Sequence, residues 1–388
     1  MMKNIGIYLH IPFCKKKCYY CDFISYCNEE KKINTYIECM QKEIEFKALE
    51  LNKFSENNNE QFEIDTIYIG GGTPSYIDSK YILKLISSVK KYFNVIKNCE
   101  ITIEVNPDSV SQEKLIEYKK IGINRISIGL QSTKNKLLEE IGRVHNFEQF
   151  KNSYNNIKNV GFNNINVDLM IALPNQTLED VKESLVEVIN LKPTHISVYS
   201  LILEEKTKLF KKVQNGNLKL PEEDVERKMY WYVKETLEKE GFPQYEISNF
   251  SKLGKESKHN LNCWNQNEYL GFGLSAHSFF NNIRFSNIEN LNEYINNIQN
   301  KTYLKNQIIH EILNIEDKQK EFMILGLRKI KGIEIKKFKE RFGENPIYNF
   351  RNQINKLVDE RLIEIDGDFI KLTNKGLDLA NVVWQEFI

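Results

Sequence analysis

The sequence predicts an α/β fold: an incomplete (β/α)6 barrel followed by a C-terminal α+β region that includes a winged-helix-like module. Three observations carry this. Short β-branched or aromatic runs recur every few tens of residues, amphipathic helical patterns lie between them, and beyond Pro243 the alternation stops. Strands alternating with helices imply right-handed β-α-β crossovers and therefore a parallel sheet.

The strand-like runs are 5–10, 66–70, 101–105, 125–129, 165–170 and 196–200, most of them followed by a polar or Gly/Pro break. Between the first two, Ile37, Met40, Ile44, Ala48 and Leu51 share one helical face, and residues 54–61, with three consecutive Asn, read as a flexible polar loop. Leu178, Val181, Leu185 and Val188 form another such face, opened by Thr177 as an N-cap. Residues 244–285 are rich in aromatics, Asn, Ser and His without a clear period, which predicts strands and loops packed on the barrel. Helical spacing returns through Phe322, Leu325, Phe338, Phe342, Ile354 and Leu357. A hairpin turning at Asp366-Gly367 and a last helix opened by Thr373 follow. The predicted divisions are 1–242 for the partial barrel, 243–310 for the aromatic, Asn-rich segment and 311–388 for the winged-helix-like unit.

The chain has 388 residues, 41% hydrophobic and 28% charged, with 54 Lys plus Arg against 53 Asp plus Glu, a net charge of +1. That balance excludes the broad basic face needed for non-specific nucleic-acid binding. The C-terminal stretch, with 14 basic and 14 acidic side chains, lacks a DNA-binding footprint as well. It reads as a structural or protein-contact module. His10 and Pro12 come too soon after the first apolar run for a signal-peptide core, and no apolar run could span a bilayer, so a cytoplasmic protein is expected.

Seven cysteines, an odd number, argue against a disulfide framework, and three of them fall within eight positions. Cys14, Cys18 and Cys21 follow the first strand directly. Three thiolates in one short loop can hold three irons of a 4Fe-4S cluster and leave the fourth iron open. Zinc is the alternative, but structural zinc normally takes four ligands and this loop offers three without a nearby His. Lys15, Lys16 and Lys17 add positive charge that favours thiolates. Cys27, Cys39 and Cys99 read as small, buried or helix-face thiols.

In a β/α barrel the chemistry sits after the C-terminal ends of the strands. Those ends carry the cysteine loop, Gly70-Gly71-Gly72-Thr73-Pro74, Glu104 with Asn106, Gln131 with Ser132, Asp168 and Tyr199. Consecutive glycines let a backbone approach a small ligand closely.

The C-x3-C-x2-C loop, with Tyr20 before its last cysteine, and the barrel pattern resemble the radical S-adenosylmethionine superfamily. The resemblance implies a cluster whose open iron is chelated by S-adenosylmethionine, and a one-electron cleavage of its sulfonium. It further implies that Gly71, Gly72 and Thr73 surround the methionyl amino group and that Arg143 pairs with the carboxylate, as a guanidinium suits. Glu104, Gln131 and Asp168 would hydrogen-bond the ribose and nearby atoms, Tyr8 would line the adenosine pocket, and Tyr20 would belong to the same S-adenosylmethionine site; His145 reads as a supporting or helix-end residue rather than a ligand. For Glu104 and Asp168 the plain alternative is a salt bridge at a strand end.

Over nearly its whole length the chain resembles one branch, the coproporphyrinogen-III-oxidase-like haem chaperones of HemW type. The matching stretches include Glu104-Val-Asn-Pro-Asp108, Gly122 to Ser132, Asp168 to Thr177, Tyr245 to Phe250 and Tyr269 to Ser278. The oxygen-independent coproporphyrinogen III oxidases carry a further cysteine where this chain has Phe23, and an N-terminal extension before the first strand. Both differences argue against oxidative decarboxylation. The His-Asn-x-x-Tyr-Trp stretch of the chaperones reads His259-Asn260-Leu261-Asn262-Cys263-Trp264 here. His259 is therefore the expected haem ligand. The Tyr-to-Cys263 change leaves the ligation geometry open, since a thiolate there could compete or play no part; His277 has a weaker claim. The resemblance implies a haem carrier with a 4Fe-4S cluster and S-adenosylmethionine that serves membrane-associated haem-acceptor proteins, peripheral to the membrane during delivery, with a flavodoxin or ferredoxin as electron donor. The alternatives are a coproporphyrinogen oxidase and a radical haem-modifying enzyme.

Overall fold

The computed structural model describes residues 2–388. Six strands and their helices build the first part. They are β1 (Met2–Ile11), α1 (Ile33–Asn58), β2 (Gln61–Gly71), α2 (Ser79–Tyr92), β3 (Val95–Val105), α3 (Gln112–Lys120), β4 (Arg125–Gln131), α4 (Asn135–Glu140), α5 (Phe147–Asn159), β5 (Ile165–Ile171), α6 (Leu178–Asn190), β6 (His195–Ser200), α7 (Lys208–Gln214) and α8 (Glu223–Lys239). The strands pair in parallel and in chain order. Helices cover the outer face and side chains fill the inner one, so all seven residues of β4 are buried. All five expected core residues of α1 are buried. Thr177 caps α6 reciprocally with Asp180.

The expected loop at 54–61 is corrected. Helix α1 runs to Asn58, Asn59 closes it in the left-handed conformation (φ 53°), and β2 begins at Gln61. Asn tolerates that conformation better than most residues, so it serves as a helix stop.

The segment after Pro243 does not pack as one block. It supplies β7 (Gln244–Glu246), β8 (Asn249–Ser251), α9 (Lys258–Trp264), β9 (Tyr269–Phe272), β10 (His277–Phe280), β11 (Ile283–Asn287), α10 (Leu291–Gln299) and β12 (Gln307–Ile312). β8 pairs antiparallel with β6, whereas β9 pairs parallel with β1, so the segment flanks both edges of the six-stranded core. The sheet reads β12-β11-β10-β9-β1-β2-β3-β4-β5-β6-β8-β7. Helix α9, in a stretch that reads as strands and loops, is a second correction. It has seven residues, too few to show an apolar period, and is started by the Ser257 side chain accepting from Asn260 N–H. A buried ion pair anchors the far edge: Lys47 Nζ lies 2.7 Å from Glu43 Oε1, and Glu43 also accepts from Asn287, Gly273 N–H and Tyr294.

The C-terminal unit comprises α11 (Ile315–Gly326), β13 (Ile333–Glu334), α12 (Ile335–Phe342), α13 (Pro346–Asn349), α14 (Arg351–Asp359), β14 (Ile363–Asp366), β15 (Phe369–Leu372), α15 (Asn374–Asp378) and α16 (Ala380–Gln385). Helices followed by a hairpin, paired as β13-β15-β14, give the expected winged-helix-like order around a separate core that includes Phe338, Ile354 and Ile370. Backbone bonds from Ile247 to Arg328 and from Ile330 to Tyr245 stitch it to the barrel.

Candidate functional site

The cysteine loop leaves β1 at Ile11 and is held from several sides. Cys14 N–H donates to Tyr26 O, Tyr19 N–H to Ile141 O, and Leu209 N–H to Tyr19 O. The Tyr19 ring fits against Gly142, where a Cβ would lie 2.7 Å from it. The neighbouring thiols of the loop oppose the ionisation of Cys14 and Cys21. Burial, ahead of that repulsion, raises the Cys14 thiol and pushes Cys21 up to about 11. Among the described residues no three His, Cys, Asp or Glu side chains are gathered as a ready metal site; the three thiols share one short loop.

The Gly-rich turn packs directly on this loop. Gly72 N–H and Thr73 N–H donate to Ile11 O and Phe13 O, and a Cβ on Gly72 would sit 2.9 Å from Cys14 Sγ. Gly71 adopts φ +113°, with the His10 ring 2.7 Å from where a Cβ would be. Only glycine satisfies both positions. Arg143 links the loop to the strand ends, donating to Cys18 Sγ (3.7 Å), Asn106 Oδ1 (2.9 Å) and Gly129 O (2.8 Å). Its Nε is buried and has no protein partner, the kind of orphan that a bound carboxylate would satisfy. Burial lowers its basicity, but neighbouring Tyr20 and Cys18 more than reverse that.

A cavity of about 500 Å³ opens beside the cysteine loop, lined by Tyr20, Gly71, Gly72, Thr73, Glu104, Gln131, Arg143 and Asp168 among others. Eight of the residues expected around one small ligand thus converge there. Glu104 accepts from Tyr68 OH (2.8 Å) and Gly71 N–H (3.3 Å), and burial pushes its carboxyl up to about 7. Asp168, also raised by burial, is held by Asn166 (2.7 Å) and Ser127 (3.3 Å). Gln131, buried at φ 72°, is a non-glycine residue in the left-handed region, a strain that clusters at ligand sites. His145 is buried behind Leu130 rather than in this cavity.

Tyr8 departs from expectation. It lines a second, adjoining cavity of about 1010 Å³ with His10, His259, Cys263 and His277. The two cavities share Asp22, Phe23, Tyr68, Tyr199 and Glu204. Tyr68 therefore bridges them, the position expected for Tyr8. The Phe23 side chain, 63% exposed, stands at their common mouth.

His259, on the first turn of α9, lies against the Tyr68 ring with its Nδ1 3.0 Å from Thr66 Oγ1. Beside them, Asn262 holds the Asp65 carboxylate with two bonds of 3.1 Å. Where the Thr66 hydroxyl accepts from Nδ1–H, the His259 Nε2 lone pair is left free. Burial holds this imidazole neutral, down to about 4, whereas it pushes the Cys263 thiol up to about 11. Among the cavity-lining residues, Lys206 stands alone as a Lys or Arg, facing Asp22, Glu204, Glu205 and Glu289.

Asn106, read at a strand end, lines the first cavity too, whereas sequence reasoning missed Tyr68, Ser127 and Met170 there. Their signal was available: each lies two positions from a glycine or polar residue already assigned to a strand end, hence on the same face.

The Radical SAM superfamily profile matches residues 8–188, and the HemN C-terminal domain matches residues 313–379. The chain is 37% identical to Heme chaperone HemW of Bacillus subtilis (strain 168), over 98% of both chains. It is 36% identical to Heme chaperone HemW of Lactococcus lactis subsp. lactis (strain IL1403), over 100% of this chain and 98% of that one. The solved structure of coproporphyrinogen III oxidase (HemN) from Escherichia coli superposes with a TM-score of 0.85 at 21% identity, covering 99% of this chain and 90% of that one. That likeness shows the fold.

Proposed function

Because the chain belongs to the Heme chaperone HemW family on a radical SAM scaffold, we propose that it binds haem in the larger cavity and passes it to haem-dependent, membrane-associated acceptor proteins. The observation that carries this reading is His259, a neutral imidazole facing a cavity of about 1010 Å³ with Nδ1 already engaged by Thr66. A neutral imidazole with its second nitrogen fixed is a suitable axial ligand.

Charge separates haem from the rival substrate. Coproporphyrinogen carries four carboxylates, haem two. A lining with four acidic side chains and Lys206 repels a tetracarboxylate more strongly than a dicarboxylate.

Cys14, Cys18 and Cys21 would hold a 4Fe-4S cluster, and the first cavity would hold S-adenosylmethionine. Three features support both: three thiols on one short loop, a cradle at Gly72 that a Cβ would fill, and the buried orphan Nε of Arg143. Bound together, the two groups supply one-electron reductive chemistry, fed by a donor such as flavodoxin or ferredoxin. The chain's part is to orient: Arg143 takes the carboxylate, Glu104 and Asp168 accept hydroxyl protons, and Tyr20 shields the loop. No helix among the described residues is long and apolar enough to cross a membrane, so delivery would be peripheral from the cytoplasm.

The test is anaerobic reconstitution followed by haem titration of the wild type and His259→Ala, read by absorption. A Soret band that the variant loses or shifts supports the proposal. Its absence from fully reconstituted wild type, or anaerobic formation of protoporphyrinogen from coproporphyrinogen, overturns it.

A further inference from the structure

On the opposite side of α9 from His259, a cavity of about 490 Å³ opens between the barrel and the C-terminal unit. Lys329, Lys331, Lys337 and Arg341 line it, with Glu334 as its carboxylate. Glu334 pairs with Lys337 at 3.3 Å. Lys329 reaches Asn265 Oδ1, Arg341 donates to the carbonyls of Asn265 and Gln266, and Lys331 lies over the Phe369 ring. Three cations thus lack a carboxylate partner in one concavity of a chain whose net charge is +1.

Part of this cluster has a structural explanation, since Lys329 and Arg341 close the C-terminal end of α9, where cations are favoured. Lys331 and Lys337 make no such contact. Their crowding has a cost: burial, then Lys337 and Lys331, pulls the Lys329 ammonium down to about 8. The wall is built to stay close, for a Cβ on Gly332 (φ 77°) would collide with Ile370 O.

We propose that this cavity binds a phosphoryl anion carrying two or more negative charges, either a soluble di- or triphosphate or an anionic phospholipid headgroup. Lysine point charges and an arginine fork suit phosphate oxygens. The volume lies within the range of small-molecule sites.

Titration calorimetry of the full chain with inorganic pyrophosphate should give saturable binding. Lys331→Gln/Lys337→Gln, both exposed positions, should weaken it about tenfold, whereas Lys336→Gln, which removes one charge outside the cavity, should leave it unchanged. Co-sedimentation with phosphatidic acid/phosphatidylcholine vesicles, displaced by pyrophosphate and lost in the double variant, assigns the headgroup. Pyrophosphate binding without such sedimentation assigns the soluble anion. No saturable binding in either arm, undiminished binding by the double variant, or equal weakening by Lys336→Gln overturns the proposal.

Discussion

The Thr73 hydroxyl donates to the Cys14 thiol across 3.4 Å, joining the Gly-rich turn after the second strand to the cysteine loop after the first. The two loops are therefore one unit, and what disturbs the turn is felt at the sulfur.

Gly72→Ala should remove most of the bound iron after reconstitution. Its Cβ would meet Cys14 Sγ at 2.9 Å and two backbone carbonyls at 3.0 Å, a clash costing about 1–3 kcal/mol if the loop held still. Iron and sulfide per chain are the readout. Wild-type content in a folded variant contradicts the cradle.

Thr66→Val should weaken haem binding about 10- to 100-fold while leaving iron and sulfide content unchanged. It removes the partner of His259 Nδ1 and so frees the ring and its tautomer. A titration curve identical to the wild type would show that the Thr66 contact does not orient the ligand.

Burial pushes His195 well below its usual range, and both its ring nitrogens are bonded, to Asn166 and Tyr245. The folded state keeps it neutral while the unfolded state binds a proton near pH 6.5. Its stabilising contribution is therefore complete above that pH and is lost on acidification. The stability difference between wild type and His195→Gln should shrink below pH 6.5 by up to about 1.4 kcal/mol per pH unit. Urea unfolding at pH 7.5, 6.0 and 5.0 measures this, and a pH-independent difference argues against a buried neutral imidazole.

Lys47→Met strands the buried Glu43 carboxylate and should cost about 3–5 kcal/mol. Glu43→Gln/Lys47→Met should recover part of it, because no charge is left buried and an amide oxygen in the Oε2 position still accepts from Gly273 N–H and Tyr294, although the bond from Asn287 is lost. Thermal melts of the two variants decide the point. Equal losses would mean that the pair holds this edge by packing rather than charge.

The six strands and the cysteine loop were legible because each depends on a local pattern: β-branched runs, and ligands three and four positions apart. The cavity side chains Glu104, Gln131 and Asp168 were found by reading strand ends in order, which needs only the barrel's polarity. Tyr8 was misplaced because the choice between Tyr8 and Tyr68, neighbours on adjacent strands, depends on ring orientation. The Thr66–His259 contact spans almost two hundred residues of sequence, and the lysine cavity forms only where two units meet, so neither leaves a local trace.

Both borders of the six-stranded core are closed by strands from after Pro243, β8 on one side and β9 on the other. A nascent chain that has emerged only as far as β6 (His195–Ser200) therefore exposes two unpaired edges, each a template for another strand. The barrel cannot finish before nearly three-quarters of the polypeptide is made, and joining β9 to β1 closes a loop of more than 250 residues, so folding is slow and late. Truncation after Pro243 should yield aggregates, and insertion of the iron centre should await release from the ribosome.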